Sequence, residues 1–362
     1  MCSPYPEVAE ARSVPMKITV ESKSGILDYT CEAGENLLYA GLSRGVALPY
    51  ECGTGTCGTC RARVMSGEAQ LTWDKAPGLA YVKRDKGEIL LCQAHANGDC
   101  TVRVPAKIGA GAREMAPPAF NAGQITRVAR LTHDVAHFEL MLDEPMRYDA
   151  GQFVVMETDD VVGGRAYSMV NYAPGGRQLD FVVKQKPGGG FSNWLFGRDV
   201  TGTRLRIFGP LGRATFHPDE ARNFVCIAGG SGIAGMLAIA SRACQEGYLS
   251  AHRGYVFFGV RTLADCFYLR EFSNLVEQSS GNLEVTVALS HEEAASEVHR
   301  DFRAIRLASG FVHEVAAKSM AGRFENAVGF VAGPPPMVDG ALRMLIMEAR
   351  LPAQFIRYDK FG

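Results

Sequence analysis

Four cysteines in this chain stand at spacings that suit a metal centre. Three of them lie in the run CGTGTCGTC, with gaps of four and two residues, and the fourth follows after a long gap. That spacing is typical of the plant-type [2Fe–2S] site, in which four thiolates hold two bridged irons. The sequence therefore predicts an iron–sulfur cluster bound by Cys52, Cys57, Cys60 and Cys92.

A structural zinc site is the alternative, because Cys-x-x-Cys is also half of a zinc knuckle pair. Zinc sites usually use two such pairs, and Cys92 has no cysteine partner at that spacing. The residues between the ligands also favour the cluster, since bridging sulfides attract backbone N–H donors and need a closely wrapped loop. Glycine allows such wrapping, and the loop contains Gly53, Gly55 and Gly58.

The longer run LPYECGTGTCGTC, which starts at Leu48, resembles the plant-type ferredoxin module of bacterial oxygenase reductases. The resemblance implies a β-grasp fold, and the patterns around the run agree with it. They predict a hairpin over residues 16–20 and 26–30, a short helix over 35–44 and a closing strand over 100–104.

Length and charge limit the function classes. At 362 residues the chain can form two or three domains with separate cores. A net charge of −1 provides no field for polyanions, so nucleic acid is not an expected partner. Four of the ten cysteines are assigned to one cluster and the others are scattered, which favours a reducing cytoplasm.

The N-terminus and an uncharged stretch near the middle of the chain bear on targeting and on membrane association. The N-terminus lacks a basic start and an apolar core, so no signal peptide is expected. Residues 223–241 carry no charge and approach the length of a membrane span. Their four glycines predict a strand, a turn and a helix instead, so no membrane partner is expected.

Changes in composition divide the chain into segments. Residues 1–15 are expected to be a flexible extension and 16–107 the [2Fe–2S] ferredoxin domain. Residues 108–120 are rich in Ala, Gly and Pro without periodicity, which indicates a linker. Six short strands within 121–218 predict an antiparallel barrel. Strands alternating with helices over 219–362 predict a Rossmann-like α/β domain with a parallel sheet.

Two motifs in the barrel segment, RAYS at 165–168 and GGFSNWL at 189–195, resemble the flavin-binding elements of the ferredoxin–NAD(P) reductase superfamily. In that family the arginine pairs with the FAD diphosphate, the tyrosine lies along the isoalloxazine, and the serine hydrogen-bonds the reactive N5 edge. Ser192 is expected to open a one-turn helix whose amides receive the diphosphate. The resemblance places these residues at FAD: Arg165, Tyr167, Ser168, Val183, Lys184, Gly190 and Ser192.

Glycines mark the expected nucleotide site. GGSG at 229–232 follows a predicted strand and enters a helix, where a dinucleotide diphosphate binds in an open parallel sheet. Together with GPPPM at 333–337 it resembles the nicotinamide-nucleotide domain of the same superfamily. The residues expected there are Gly229, Gly230, Ser231, Gly232, Gly333, Pro334, Pro335 and Met337. The resemblance also places Phe361 over the flavin face, beside Tyr167 and Ser168 as catalytic residues.

The chain departs from the family pattern at Ala332, where cysteine is usual, and at Gly235, where proline is common. The first change puts in doubt any thiol role in orienting the nicotinamide. Coenzyme choice is open from the residues, because no acid ends the second strand of the domain and Arg261 could meet a 2′-phosphate. Oxygenase reductases with this domain order mostly use NADH, so NADH is expected, with NADPH as the alternative.

The three modules imply an electron path from NADH to FAD, then singly to the [2Fe–2S] cluster and on to a partner. The resemblance implies that the partner is the hydroxylase component of a soluble diiron monooxygenase, docked transiently by a monomeric reductase. No histidine lies three residues after a glutamate, so this chain lacks the diiron ligands. Reductases of Rieske dioxygenases and of nucleotide-sugar dehydrases are the alternatives, and a zinc-knob adaptor without redox activity is a more distant one.

Overall fold

The computed structural model describes residues 14–109 and 117–360. The chain divides into two compact units, one ending at Pro117 and the other starting at Pro118. Most of the expected N-terminal extension, residues 1–13, lies outside the described residues. The three-part fold class is confirmed: a β-grasp unit, then an antiparallel barrel sheet and a parallel α/β sheet.

The first unit is a five-stranded sheet in the order β2-β1-β7-β3-β5, with β1 and β7 parallel. The alternation of β1 sets its two faces, because Ile18 and Val20 are buried while their neighbours reach solvent. A separate pair joins β4 to β6. The elements are β1 (Met16–Ser22), β2 (Gly25–Cys31), α1 (Leu37–Ser43), β3 (Arg61–Ser66), β4 (Ala69–Leu71), β5 (Glu88–Leu90), β6 (Ala94–Ala96) and β7 (Cys100–Arg103).

The second unit begins with a six-stranded antiparallel sheet in the order β11-β10-β13-β8-β9-β12. Its two end strands approach each other through a bridge between Met169 and Phe181, so the sheet curls toward a barrel. The elements are β8 (Ala119–Arg130), β9 (Val135–Met146), β10 (Phe153–Thr158), β11 (Val161–Ser168), β12 (Gly176–Lys184), α2 (Gly190–Gly197) and β13 (Arg204–Leu211).

A parallel sheet in the order β17-β16-β15-β14-β18-β19 follows. Its central strands are almost fully buried because helices cover both faces. The elements are β14 (Asn223–Gly229), α3 (Ile233–Gln245), β15 (Gly254–Val260), α4 (Leu269–Gln278), β16 (Leu283–Leu289), β17 (Ile305–Ser309), α5 (Val312–Ser319), β18 (Ala327–Gly333), α6 (Pro335–Arg343) and β19 (Ile356–Lys360). Barrel residues Val135 and Val182 lie in the same core cluster as Ile233 and Phe258, so the two sheets share a core.

The linker expected over 108–120 is too long at both ends. Ile108 is buried, and its N–H donates to Ser24 Oγ at 2.9 Å, so it belongs to the first unit. Strand β8 begins at Ala119, where Ala119 and Phe120 already pair with β13. Residues 110–116 lie outside the described part of the chain.

Within residues 14–109 and 117–360, no helix combines the length and the apolar character that a membrane span needs.

Candidate functional site

The structure brings the four predicted cysteine ligands together. Cys60 Sγ lies 3.2 Å from Cys92 Sγ, and both residues are buried. Cys52 and Cys57 are partly exposed and close enough for one thiol to hydrogen-bond the other. No cysteine in the described residues forms a disulfide. The site therefore has two inner sulfurs and two nearer the surface.

The ligand loop wraps as its glycines predict. Gly53, Gly55 and Gly58 have φ values of 68°, 84° and 78°, a region that residues with a side chain rarely adopt. The Thr54 N–H donates to Cys52 Sγ at 3.4 Å, and the Thr59 N–H donates to Cys57 Sγ at 3.5 Å. These contacts are the backbone donors that cluster sulfurs need.

Helix α1 supports the loop through two side chains that the sequence pattern did not single out. Asn36 caps the helix, its Oδ1 accepting the N–H groups of Leu38 and Tyr39. Its Nδ2 also donates to the Cys92 carbonyl at 2.6 Å, and the Tyr39 hydroxyl donates to the Gly53 carbonyl at 2.9 Å. The helix begins at Leu37, two residues later than predicted, because Asn36 is its cap. An asparagine before an apolar run is a helix-start signal that could have been used.

The pKa shifts differ within the ligand set, because the pKa of Cys52 is lowered while contact with Cys60 and burial raise the pKa of Cys92. The pKa of Cys52 is lowered to about 4, first because the Cys57 thiol donates to it. The pKa of Cys57 is raised, first because it donates that proton and then because it is partly buried. Burial raises the pKa of Cys31 to about 11, so Cys31 stays a neutral thiol near pH 7. Crowded sulfurs that share protons fit a cationic group that binds thiolates.

The flavin motifs meet at the start of helix α2. A Cβ built on Gly190 would lie 3.0 Å from Val161 Cγ1 and 3.9 Å from Arg165 Nη2. The Tyr167 ring on β11 packs 5.1 Å from the Phe191 ring on α2, measured between centroids. The first amides of a helix have no partner within it, so these N–H groups and the guanidinium converge as a diphosphate requires.

Ser192 does not open a one-turn helix as expected. It is the third residue of α2, which spans Gly190–Gly197 and is capped by Gly189. Its buried hydroxyl accepts the Lys186 N–H at 3.1 Å and so closes the glycine loop before the helix. The Ser192 hydroxyl is therefore used within the loop, and its place at the FAD diphosphate stays a prediction.

Asp160 fixes helix α2 to the barrel and was missed from the sequence. It lies in the turn before β11, and its Oδ2 accepts the Trp194 Nε1–H at 3.0 Å. The same oxygen pairs with Arg198, which caps the other end of the helix. Nothing local in the sequence predicts this contact, because Asp160 is more than thirty residues before both partners.

The remaining predicted flavin residues take different positions. Ser168 is buried at the end of β11, and a Cβ on Gly235 would lie 3.9 Å from Ser168 Cβ, so the flavin and nucleotide motifs adjoin. Val183 is buried in the barrel core. Lys184 Nζ pairs with Asp134 at 2.5 Å. The side chains of Val183 and Lys184 are thus committed to packing and to an ion pair.

The two nucleotide motifs also meet. A Cβ on Gly229 would lie 3.2 Å from both Met337 Cε and Pro334 Cδ. A Cβ on Gly232 would lie 2.3 Å from the Ala332 carbonyl oxygen, so Gly232 must be glycine for this approach. Gly230, Ser231 and Gly232 form a single 3₁₀ turn, and α3 starts at Ile233.

Two further predictions concern the proline-rich run after β18 and the C-terminal Phe361. Gly333 and Pro334 lead into α6, of which Pro335 is the first residue, so the proline-rich run is a helix start. Strand β19 places Lys360 beside Gly333. Phe361 lies outside the described residues, and its position over the flavin stays a prediction.

Family comparisons agree with this arrangement in order and extent. Residues 22–97 match a 2Fe-2S iron-sulfur cluster binding domain, 122–216 an oxidoreductase FAD-binding domain and 226–343 an oxidoreductase NAD-binding domain. The chain is 32% identical over 334 residues to the ferredoxin–NAD(P)(+) reductase CarAd of Metapseudomonas resinovorans, covering 92% of this chain and 96% of the relative. The chain belongs to this family of iron–sulfur flavoprotein reductases.

Other relatives extend the comparison. The reductase is 32% identical over 336 residues to the ferredoxin–NAD(+) reductase component of an alkene monooxygenase system from Xanthobacter autotrophicus, covering 92% and 97% of the two chains. The solved ferredoxin reductase in carbazole 1,9a-dioxygenase superposes with a TM-score of 0.79 at 30% identity, over 97% of this chain and 100% of that one. The protein is thus an oxidoreductase with domains for a [2Fe–2S] cluster, FAD and NAD, and the zinc-knob alternative is wrong.

Proposed function

We propose that this reductase takes electrons from NADH and delivers them singly to the hydroxylase component of a soluble diiron monooxygenase. Two observations together carry the proposal: the four-cysteine loop of one unit, and the flavin and nucleotide motifs that adjoin each other within the other unit. Among its relatives are reductases of alkene, xylene/toluene, phenol and propane monooxygenases. We place the reductase in the cytoplasm as a monomer.

The chain's own residues have separate tasks in this proposal. Residues 16–107 hold the cluster, 121–218 bind FAD and 219–362 bind the nucleotide. When bound, FAD supplies the change from two-electron to one-electron chemistry, and the cluster supplies single-electron carriage. Arg165 and the amides that begin α2 bind the diphosphate, while Ser168 donates a hydrogen bond at the reactive edge of the ring. The backbone of residues 229–232 receives the nucleotide diphosphate beside Pro334 and Met337.

A second candidate acceptor is a Rieske ring-hydroxylating dioxygenase system. The observation that favours it is the full-length similarity to CarAd and to the reductase in carbazole 1,9a-dioxygenase. A reductase in a naphthalene 1,2-dioxygenase/salicylate 5-hydroxylase system is also 29% identical. Both acceptor classes need the same single-electron supply, so they differ in the docking partner alone.

The acceptor class can be tested by reconstitution. The reductase and NADH are combined with a purified phenol or alkene monooxygenase hydroxylase, and separately with a purified Rieske oxygenase and its ferredoxin. We expect product formation coupled to NADH oxidation with the diiron hydroxylase. Coupled turnover with the Rieske system alone would replace the first candidate by the second. Absence of NADH-dependent bleaching in the anaerobic visible spectrum would reject both.

The surroundings of Arg261 support NADH as the electron donor. Arg261 follows β15, and its Nη2 lies 3.8 Å from both Asp134 Oδ2 and Asp265 Oδ1. The other Asp265 oxygen accepts the N–H and the hydroxyl of Thr262, so Asp265 is tied into the turn. A 2′-phosphate that reached this guanidinium would also meet two carboxylates. Repulsion between like charges therefore disfavours NADPH.

We expect kcat/KM for NADH to exceed that for NADPH by about 10- to 100-fold at low ionic strength, which corresponds to about 1.4–2.8 kcal/mol. The measurement is the steady-state reduction of ferricyanide with each coenzyme. Asp265→Asn should narrow the preference, because it removes one of the two carboxylates beside Arg261. Equal kcat/KM values in the unmodified reductase would contradict the assignment of NADH.

A further inference from the structure

An exposed aromatic side chain stands directly against the cluster loop. Tyr81 is 64% exposed, yet a Cβ on Gly58 would lie 3.0 Å from its Cδ2 and 3.1 Å from its Cβ. Gly58 sits between the ligands Cys57 and Cys60. The Tyr81 carbonyl accepts a hydrogen bond from Arg61 Nη1 at 3.0 Å, which anchors this backbone beside the ligand loop. The ring therefore lies at the surface and against the partly exposed part of the loop, residues 57–59.

The segment around Tyr81 carries positive charge that is not neutralised. We call residues 77–87 the basic flap; its two 3₁₀ turns are Pro77–Tyr81 and Arg84–Lys86. Its cations Lys83, Arg84 and Lys86 are exposed, and none of them forms an ion pair with any residue that the structure describes. Asp85 is the single carboxylate within the flap. The flap therefore presents a net positive charge next to the cluster loop.

Basic side chains on the neighbouring sheet strands are paired with carboxylates. On the exposed face of the sheet, Lys17 pairs with Asp28 at 2.9 Å and Arg103 with Glu21 at 2.7 Å. Glu88, which follows the flap, is shared by Arg61 and Arg63, and it also accepts the Lys83 backbone N–H. The cations of the flap thus remain available for a partner.

We propose that the basic flap is the docking surface for the electron acceptor, and that the acceptor presents an acidic surface to it. This inference rests on the proposed function, because it assumes that electrons leave through the cluster. Tyrosine and arginine are over-represented among the residues that dominate binding energy. Complementary charge mainly accelerates association, which suits a short-lived electron-transfer complex with a small interface.

The charge of the acceptor can be tested with one haem protein in two forms. Native cytochrome c is cationic, and succinylation converts its lysines to carboxylates without changing the haem. We expect kcat/KM at low ionic strength to be at least about tenfold higher for the succinylated form, with the difference falling as salt is added. An equal rate for both forms, or a preference for the native form, would overturn the proposal.

Charge reversal at two positions of the basic flap tests whether the flap causes the preference for succinylated cytochrome c. Lys83→Glu combined with Lys86→Glu should lower kcat/KM for succinylated cytochrome c by about tenfold and remove the preference. The control is Lys23→Glu combined with Lys107→Glu, which gives the same change in net charge at exposed positions in the same unit. If the control lowers the rate as much as the flap variant does, net charge explains the result and the flap is not the docking surface.

Tyr81→Ala tests the contact itself, with Ile26→Ala as the control because Ile26 is 66% exposed in the same unit. We expect Tyr81→Ala to lower kcat/KM for both cytochrome forms several-fold. Stopped-flow reduction of the flavin and the cluster by NADH should keep its wild-type rates. An equal loss in the internal rate would show that the flap serves the flavin, and no loss in either would remove Tyr81 from the interface. Failure of the unmodified protein to bleach with NADH would reject the proposed function instead.

Discussion

Replacement of Cys57 by serine is expected to lower electron delivery to cytochrome c by more than about 100-fold while NADH-dependent flavin reduction stays within twofold of wild type. Cys57 lies on the outer side of the site, where it is partly exposed and its Sγ receives the Thr59 N–H. In the proposed site its loss removes one of four thiolates from the cluster, whereas the FAD-binding domain lies in the other unit. The two readouts are NADH-driven reduction of cytochrome c and of ferricyanide, which can take electrons from the flavin.

Cys31→Ser is the matched control for this variant. Cys31 is buried in the same unit, and its Sγ lies 3.6 Å from the carbonyl oxygens of Glu32 and Glu35. A serine hydroxyl can keep these contacts, and burial already holds the native thiol neutral by raising its pKa to about 11. Both activities should survive in Cys31→Ser. If Cys57→Ser lost ferricyanide reduction as well, the order NADH, FAD, cluster would be wrong.

The grouping of the four cysteines could be predicted because it depends largely on local spacing. Gaps of four and two residues restrict where three thiols can point, and the glycines between them allow the wrapped loop. The support for that loop could not be found in the same way. Asn36 contacts Cys92 across 56 residues of chain, and Tyr39 contacts Gly53 from a helix. Such contacts depend on how the elements pack, which spacing alone does not determine.

In the second unit, too, some strands could be predicted from the sequence and others could not. The strand Leu283–Leu289 could be predicted, because five of its seven residues are apolar, as suits a strand whose two faces are both largely buried. Strand β11, Val161–Ser168, begins four residues before the RAYS motif, and this first half could not be predicted from the sequence pattern. Gly163 and Gly164 make this stretch look unlike a strand, because glycine weakens strands. In the fold Gly164 is required, because a Cβ there would lie 2.5 Å from Val155 Cγ1.

The two edge strands of the parallel sheet were also not predicted from the sequence. Ile305–Ser309 and Ile356–Lys360 flank the parallel sheet, and both contain exposed polar residues in place of an apolar run. Their sequence pattern is therefore close to that of a loop. The second of them leads the C-terminal segment past Gly333, where the nucleotide motifs meet. Strand β19 thus lies beside the nucleotide motifs because it pairs with β18, and its own residue pattern does not show this.

The sequence shows a series of glycines at the nucleotide site, and only the structure tells which of them must remain glycine. Gly232 and Gly235 are one helical turn apart at the start of α3. A Cβ on Gly232 would lie 2.3 Å from the Ala332 carbonyl oxygen and 2.9 Å from the Gly333 nitrogen. A Cβ on Gly235 would have its nearest neighbour at 3.6 Å, an ordinary contact distance. The same methyl group therefore has opposite consequences at the two positions.

Gly232→Ala is expected to lower kcat/KM for NADH by about 100-fold, because the backbone that receives the diphosphate must move away from β18. The overlap should also cost about 1–3 kcal/mol in the free energy of unfolding, which a denaturant titration measures. FAD content and the cluster spectrum should be unchanged. Electron transfer to cytochrome c after reduction by dithionite should also keep its wild-type rate, since that step does not use the nucleotide site.

Gly235→Ala is the matched control, and it should keep kcat/KM for NADH within about threefold while leaving stability equal or slightly higher. The family commonly has proline at this position, which agrees with the free space beside Gly235. Equal losses in the two variants would mean that any side chain at the start of α3 blocks the site. An unchanged kcat/KM in Gly232→Ala would show that the diphosphate does not bind at residues 229–232, and the nucleotide would have to enter elsewhere along the carboxyl ends of the parallel strands.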